Sequence, residues 1–358
     1  MRLSLFSVSL FLAALVLFFA CSPAVDSPVM LDIAAPPKEK LSDYHFFTGE
    51  ITALQPNDRV FPYALNASLF TDYAWKKRFF YLPPGASVSY QDSQVLQFPI
   101  GACIIKNFYY PNDFRDESKG YRIIETRLLV HREKGWEAHE YVWNEDQTDA
   151  FLDDVGDIKP VSWIHYDGSS RQVDYLIPNK NQCKSCHWIG DKITPIGPKV
   201  QNLNRPSVAD AANSNQLESW AAAKVLTAFP GVAHCTTWPD YMDTSATLDN
   251  RARAYLEINC GHCHNPKGPA YTSGLWLNIT HDDPQHLGVC KLPVAAGKAT
   301  GGNLYDIVPG HPEQSILAYR MKDNRPEIRM PEVGRSVEHT EGLKLISEWI
   351  TQMKGQCP

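Results

Sequence analysis

Two CxxCH pentapeptides constrain this chain more than any other feature. CKSCH contributes Cys183, Cys186 and His187, and CGHCH contributes Cys260, Cys263 and His264. Two thiols three residues apart reach the vinyl groups along one edge of a haem, and the histidine that follows sits beneath the ring to ligate iron. The spacing predicts two covalently attached haem c groups held by these six residues. A CxxC pair by itself is also half of a zinc site, a dithiol redox couple or a structural disulfide. Two copies in an exported chain favour haem, because c-type attachment takes place outside the cytoplasm, where zinc thiolates are not kept reduced.

Export is read from residues 1–20, MRLSLFSVSLFLAALVLFFA, one basic residue followed by an almost unbroken apolar run. The run is too short and wrongly flanked for a stable span and reads as a signal peptide. Ala20-Cys21-Ser22 matches a bacterial lipoprotein signal, with Cys21 as the acylated residue. Plain secretion or an uncleaved anchor is the alternative, since Phe18 and Phe19 depart from the usual pattern. The expected location is the periplasmic side of the envelope, lipid-anchored, and Ser22 favours the outer membrane. Cleavage removes Arg2 and no acid, which leaves 33 basic against 40 acidic residues, a balance of −7. That charge argues against a nucleic-acid partner.

Nine cysteines are present. Beyond Cys21 and the four of the motifs stand Cys103, Cys235, Cys290 and Cys357. An oxidising compartment allows three pairings of these four, or none. Cys290 with Cys357 is favoured because both fall in the last domain.

The predicted fold class is α+β and multidomain: an antiparallel β-rich domain followed by a mostly α-helical, cytochrome c-like haem region. Residues 21–40 are proline-rich and read as a tether. Residues 41–175 hold runs dense in β-branched and aromatic residues, with a hairpin expected across Glu133-Lys134-Gly135. Its aromatics read as core rather than as a sugar platform. Residues 176–245 form the first haem segment, with a helix expected over 215–228, and residues 246–358 a cytochrome c domain with the second haem. There Asp249 is the expected N-cap, and EGLKLISEWITQM spaces Leu343, Ile346, Trp349 and Ile350 on one helical face. Tyr255 and Trp349 are candidates for an aromatic contact between the first and last helices.

His187 and His264 are the expected proximal ligands. Met330, in RMPEVGR shortly before the last helix, is the expected sixth ligand of the second iron, a pairing that raises the potential. No residue stands out for the sixth position at His187; Met242, His234, His45, His131, His139 and His165 are the candidates. His262 reads as a spectator on the haem edge.

LSDYHFF, PYALNASLFTDYAWKKRF, FPIGACIIKNF, YVWNEDQTDA, YLIPNKNQCKSCH, PIGPKVQNLNR, RARAYLEINCGHCHNP and RMPEVGR followed by EGLKLISEWI together resemble an uncharacterised bacterial family of periplasmic diheme c-type cytochromes. The resemblance covers most of residues 41–353, and the C-terminal third alone is similar to the general cytochrome c domain. It implies haem attachment at the six motif residues and an axial Met330. It implies no assigned reaction and no known electron partner. Cys103 stands where the resemblance leads one to expect another residue.

Three functions follow as expectations. The leading one is electron transfer between redox proteins of the envelope, with no catalytic residue of its own. A diheme peroxidase-like enzyme, with catalysis at the first haem, is the second; against it, about 160 residues separate Cys21 from the first motif. The third is a β-rich binding module that docks the haems to an envelope partner.

Overall fold

The computed structural model describes residues 27–209 and 214–358. The expected signal peptide and the Cys21 acylation site lie outside the described residues.

Six strands form one antiparallel meander: β1 (Val60–Tyr63), β2 (Trp75–Tyr81), β3 (Cys103–Pro111), β4 (Tyr121–Arg132), β5 (Gly135–Trp143) and β6 (Ala150–Leu152). Each pairs with the next in sequence. The hairpin expected after Arg132 is present, with Arg132 opposite Gly135. A separate hairpin, β7 (Asp157–Ile164) and β8 (Ser170–Ile177), packs beside the sheet.

Alternation along the strands gives the sheet two faces. One face presents Phe79, Tyr81, Cys103, Ile105, Tyr141 and Trp143 to the segment around Leu41, Tyr44 and Phe46. Val29, Leu31 and Ile33, from the stretch expected as a tether, pack against the same core. Most aromatic side chains of the sheet are buried, as expected of core residues; each contributes about 1.5–3 kcal/mol by leaving water.

The opposite face meets the first motif, where Glu140 bonds Cys183, and carries two apolar clusters. Phe80, Ile104 and Leu129 meet Val200, Leu203 and Trp220 at one end, and Phe108, Tyr110 and Ile124 meet Trp163 and Tyr175 at the other.

The expectation of a mostly α-helical, cytochrome c-like region after residue 176 is corrected. Over the described residues the chain is a β-rich antiparallel protein with few helices. They are α1 (Lys180–His187), α2 (Val200–Leu203), α3 (Gln216–Ala222), α4 (Leu248–Leu256), α5 (Pro284–Leu287), α6 (Ile316–Lys322) and α7 (Thr340–Gln352). Among the described residues only α7, with 13 residues, exceeds nine. The physical reason is local: prolines and glycines recur every few residues between Pro266 and Pro331, and each removes a helical hydrogen bond or favours a turn.

Helix α3 ends at Ala222, short of the expected 228. Leu226 and Thr227 instead pair in parallel with Val88 and Ser89, so a sheet edge outcompetes helix propensity there. Thr247, not Asp249, caps α4 by accepting from the Asn250 N–H. Asp249 instead accepts a hydrogen bond from Trp349 Nε1 at 2.8 Å, tying α4 to α7. Tyr255 and Trp349 share one core, but the ring partners of Tyr255 are Tyr241 and His339. Cys290 and Cys357 form the favoured disulfide. Among the described residues no helix is long and apolar enough to cross a membrane.

Candidate functional site

The first motif occupies α1. Asn179 caps it by accepting from Asn181 and Gln182 N–H, and Gln182 returns a bond to the Asn179 N–H. On a helix, residues at i, i+3 and i+4 lie on one face, which places Cys183, Cys186 and His187 along the same side of α1. A two-strand turn, Trp188–Ile189 against Lys192–Ile193, then brings Thr194 back over His187. Thr194 N–H donates to the His187 carbonyl at 2.8 Å, and His187 Nδ1 meets the Thr194 carbonyl oxygen at 2.9 Å. A carbonyl can only accept, so Nδ1 carries the proton and Nε2 is left as the ligating nitrogen. Burial pushes the imidazole down to about 4 and keeps it neutral.

The second motif repeats this logic on a different backbone. Helix α4 runs into a wider turn at Glu257–Gly261, and the N–H groups of Cys263 and His264 both donate to the Cys260 carbonyl, at 3.0 and 2.9 Å. His264 Nδ1 lies 3.2 Å from Ser273 Oγ, whose own hydroxyl donates to the Ala270 carbonyl at 2.7 Å. The serine therefore accepts from Nδ1–H, and Nε2 is again the free nitrogen. Burial pushes His264 down to about 4 as well.

A cavity of about 510 Å3 opens beside this motif. Cys260, Cys263, His264 and Met330 line it, with Leu277, Ile307 and Met321 among its apolar walls. Its size falls within the range of cofactor pockets. Two thiols, a neutral imidazole with its outer nitrogen already bonded, and a thioether in one apolar pocket form a donor set that suits haem.

The Met330 segment is held from two sides. Arg335, 4% exposed, donates to the carbonyls of Met330, Val337, Arg320 and Asp323 and to Asn324 Oδ1, at 2.7–3.1 Å. From the sheet side, Asp72 accepts from Ser336 and Val337.

The structure brings the two motifs together. Ligand atoms of Cys186, His262 and Cys263 all lie within 4.8 Å of one another, and Ser185 and Cys186 line the same cavity as Cys260 and His264. Cys263 and His262 hold the Cys186 thiol well below its ordinary range. His262 is therefore no surface spectator: it is 8% exposed, and its Nδ1 has no hydrogen-bond partner. Cys183 points the other way, its Sγ donating to Glu140 Oε1 at 2.7 Å. Burial pushes Glu140 up to about 8.

Among the described residues, none of the six candidates for the sixth position makes a hydrogen bond or ion pair with His187, whose Nδ1 is taken by Thr194. The titratable neighbours it feels most are Cys186, Lys106 and His262. Met242 and His234 are exposed. His131 bonds the Phe98 and Pro99 carbonyls, and His45 faces Pro28. His165 accepts from Trp163 Nε1, and His139 is buried beside Glu137. Comparison of the chain with protein families, with curated proteins and with solved structures gives no match.

Sequence reading missed Thr194 and Ser273, the oxygens that fix the histidine tautomers. It also missed Arg335, Asp72 and Glu140. RMPEVGR contains Arg335, but nothing in the motif marks it as the organiser of the loop.

Proposed function

We propose that this chain is a diheme c-type electron carrier of the bacterial envelope. The observation that carries the reading is the meeting of the two CxxCH motifs, with Cys186 and Cys263 from different motifs beside His262. Haem attached at each motif would supply one-electron redox chemistry at iron. The residues of the chain would fix everything else. Cys183, Cys186, Cys260 and Cys263 would set the attachment edges, and the contact of the motifs would hold those edges close. His187 and His264 would present Nε2 to iron, each kept in one tautomer by an oxygen at Nδ1. Met330 would supply the sixth ligand of the second iron and raise its potential. The mostly buried aromatics of the sheet leave little surface for an aromatic docking platform, which weighs against the binding-module reading.

A competing reading draws on the same geometry. Cys186, Cys263 and His262 could hold a soft metal such as zinc, with no haem present. Intact mass and metal analysis of the mature protein, produced with a c-type maturation system, decide between them. Two covalent haems, falling to one in Cys183→Ala/Cys186→Ala and in Cys260→Ala/Cys263→Ala, support the carrier. Zinc without haem rejects it.

A further inference from the structure

The sheet face that looks toward the motifs carries side chains in register across four strands. Phe80, Ile104, Leu129 and Ala138 make an apolar row. The next row is Arg78, Lys106, Arg127 and Glu140, and Lys76 begins the one after. A charged row set between two apolar clusters is costly unless each charge has a partner.

Among the described residues, Arg127 is the one cation of these rows with carboxylate partners. It donates to Glu125 through Nε and Nη2, at 2.9 and 2.6 Å, and its Nε lies 3.2 Å from Glu140. Arg78 reaches the Lys76 carbonyl and Ser68 Oγ, at 3.5 and 3.4 Å. Lys76 Nζ donates to the Leu69 carbonyl at 2.9 Å. Among the described residues Lys106 has no hydrogen bond or ion pair; its Nζ sits 4.6 Å from the Phe108 ring centroid. Burial and mutual repulsion push Lys76 and Lys106 well below the usual ammonium range. Yet both keep part of their surface accessible. Lys106 is close enough to Cys186 and His187 to interact electrostatically with each.

We propose that Lys76, Arg78 and Lys106 form a carboxylate-binding site between the sheet and the first motif. Three cations that neighbour one another on one sheet face, with no carboxylate partner of their own among the described residues, call for an anion with more than one oxygen, which a bidentate guanidinium and two ammonium groups would hold. Two sources share this chemistry. One is the propionate pair of a haem at Cys183 and Cys186, a source that rests on the haem reading above. The other is a free carboxylate from solution, which does not.

The test uses the mature, matured-in-cell protein and its Lys106→Met and Arg78→Gln variants, with Lys106→Arg as a charge-preserving control should either fail to fold. Haem is counted by intact mass, midpoint potentials are read by optical redox titration, and acetate is the free-anion probe. If propionates fill the site, both variants keep two haems but show a fall in one midpoint potential, the other unmoved, and acetate changes nothing. If a free carboxylate fills it, acetate shifts the wild-type potential saturably, and both variants lose that response. Unchanged potentials, no acetate response and a higher melting temperature in Lys106→Met would overturn the proposal, because removing an unpaired buried cation would then relieve the fold. Absence of covalent haem would reject the haem reading on mass alone. Calorimetry with acetate on that haem-free protein then decides the site: saturable binding lost in both variants supports it, and no binding overturns it.

Discussion

Asp72 clamps Ser336 from across the molecule. One carboxylate oxygen of Asp72 accepts from the Ser336 N–H at 2.7 Å and the other from its hydroxyl at 2.8 Å, while the Val337 N–H adds a third bond at 3.0 Å. The two residues are 264 apart in sequence, and the clamp grips the sixth and seventh residues after Met330. Replacing Asp72 by Ala leaves two backbone donors without a partner in a site where Asp72 is 2% exposed. The expected loss is about 3 kcal/mol in denaturant unfolding. An unchanged midpoint would show the clamp to be dispensable.

Arg335 holds the same segment through a fork of donors. Arg335→Lys keeps the charge and loses the planar fork. With haem bound, the variant is expected to keep two haems, weaken the near-infrared methionine–iron band and lower one midpoint potential. Met330→Ala sets the limit of that change, abolishing the band and lowering the same potential. Retention of the band in Met330→Ala would remove Met330 from the iron.

Gly342 lets α7 lie close to α4. A Cβ at this position would overlap the Tyr255 hydroxyl and meet His339 Nδ1 at 2.6 Å. On an open helix Gly→Ala stabilises by about 1 kcal/mol. Here Gly342→Ala is expected to destabilise by about 1–3 kcal/mol, as overpacking does, and thermal unfolding gives the sign.

Burial pushes His339 from 6.5 down to about 4, with Glu341 pulling it up and Lys76 and Arg335 pushing it further down. Its ring stacks on Phe70, and Nδ1 lies 3.0 Å from the Tyr255 hydroxyl. As pH falls below 6.5 the unfolded chain takes up this proton first, so the contribution is present above 6.5 and is lost between 6.5 and about 4. A change of that size is worth about 3 kcal/mol. Denaturant curves at pH 7 and pH 4.5 should differ less in His339→Gln than in the wild type.

The Cys290–Cys357 bond closes a loop 67 residues long. Cys357→Ser is expected to cost about 4 kcal/mol through the freed unfolded chain. Reductant should lower the melting temperature of the wild type and leave the variant unmoved.

The β part was legible because strand signals are local. Alternation from Ile123 to His131, a Gly-containing turn and Trp136 to Trp143 suffice to place a hairpin. The final helix was legible for the same reason: Ile346, Trp349 and Ile350 repeat at helical spacing and are buried. The helical haem region was misjudged because likeness of motifs outweighed the prolines and glycines between them. Helix α3 stopped early because Leu226 found a strand partner at Val88, a contact no local pattern encodes.

What the sequence by itself determined is the set of groups that act within one helical turn. Cys183, Cys186 and His187, like Cys260, Cys263 and His264, are placed by spacing alone. Tertiary structure decided what surrounds them: that Cys186 meets Cys263, that Thr194 and Ser273 fix the imidazoles, and that Asp72 and Arg335 fasten the Met330 segment. It also decided that Arg78 and Lys106 line up on one sheet face with no carboxylate partner of their own among the described residues. Spacing along a helix is set by backbone geometry. A contact between residues far apart in sequence is set by which apolar faces can be buried together, and that is known only once the whole chain has packed.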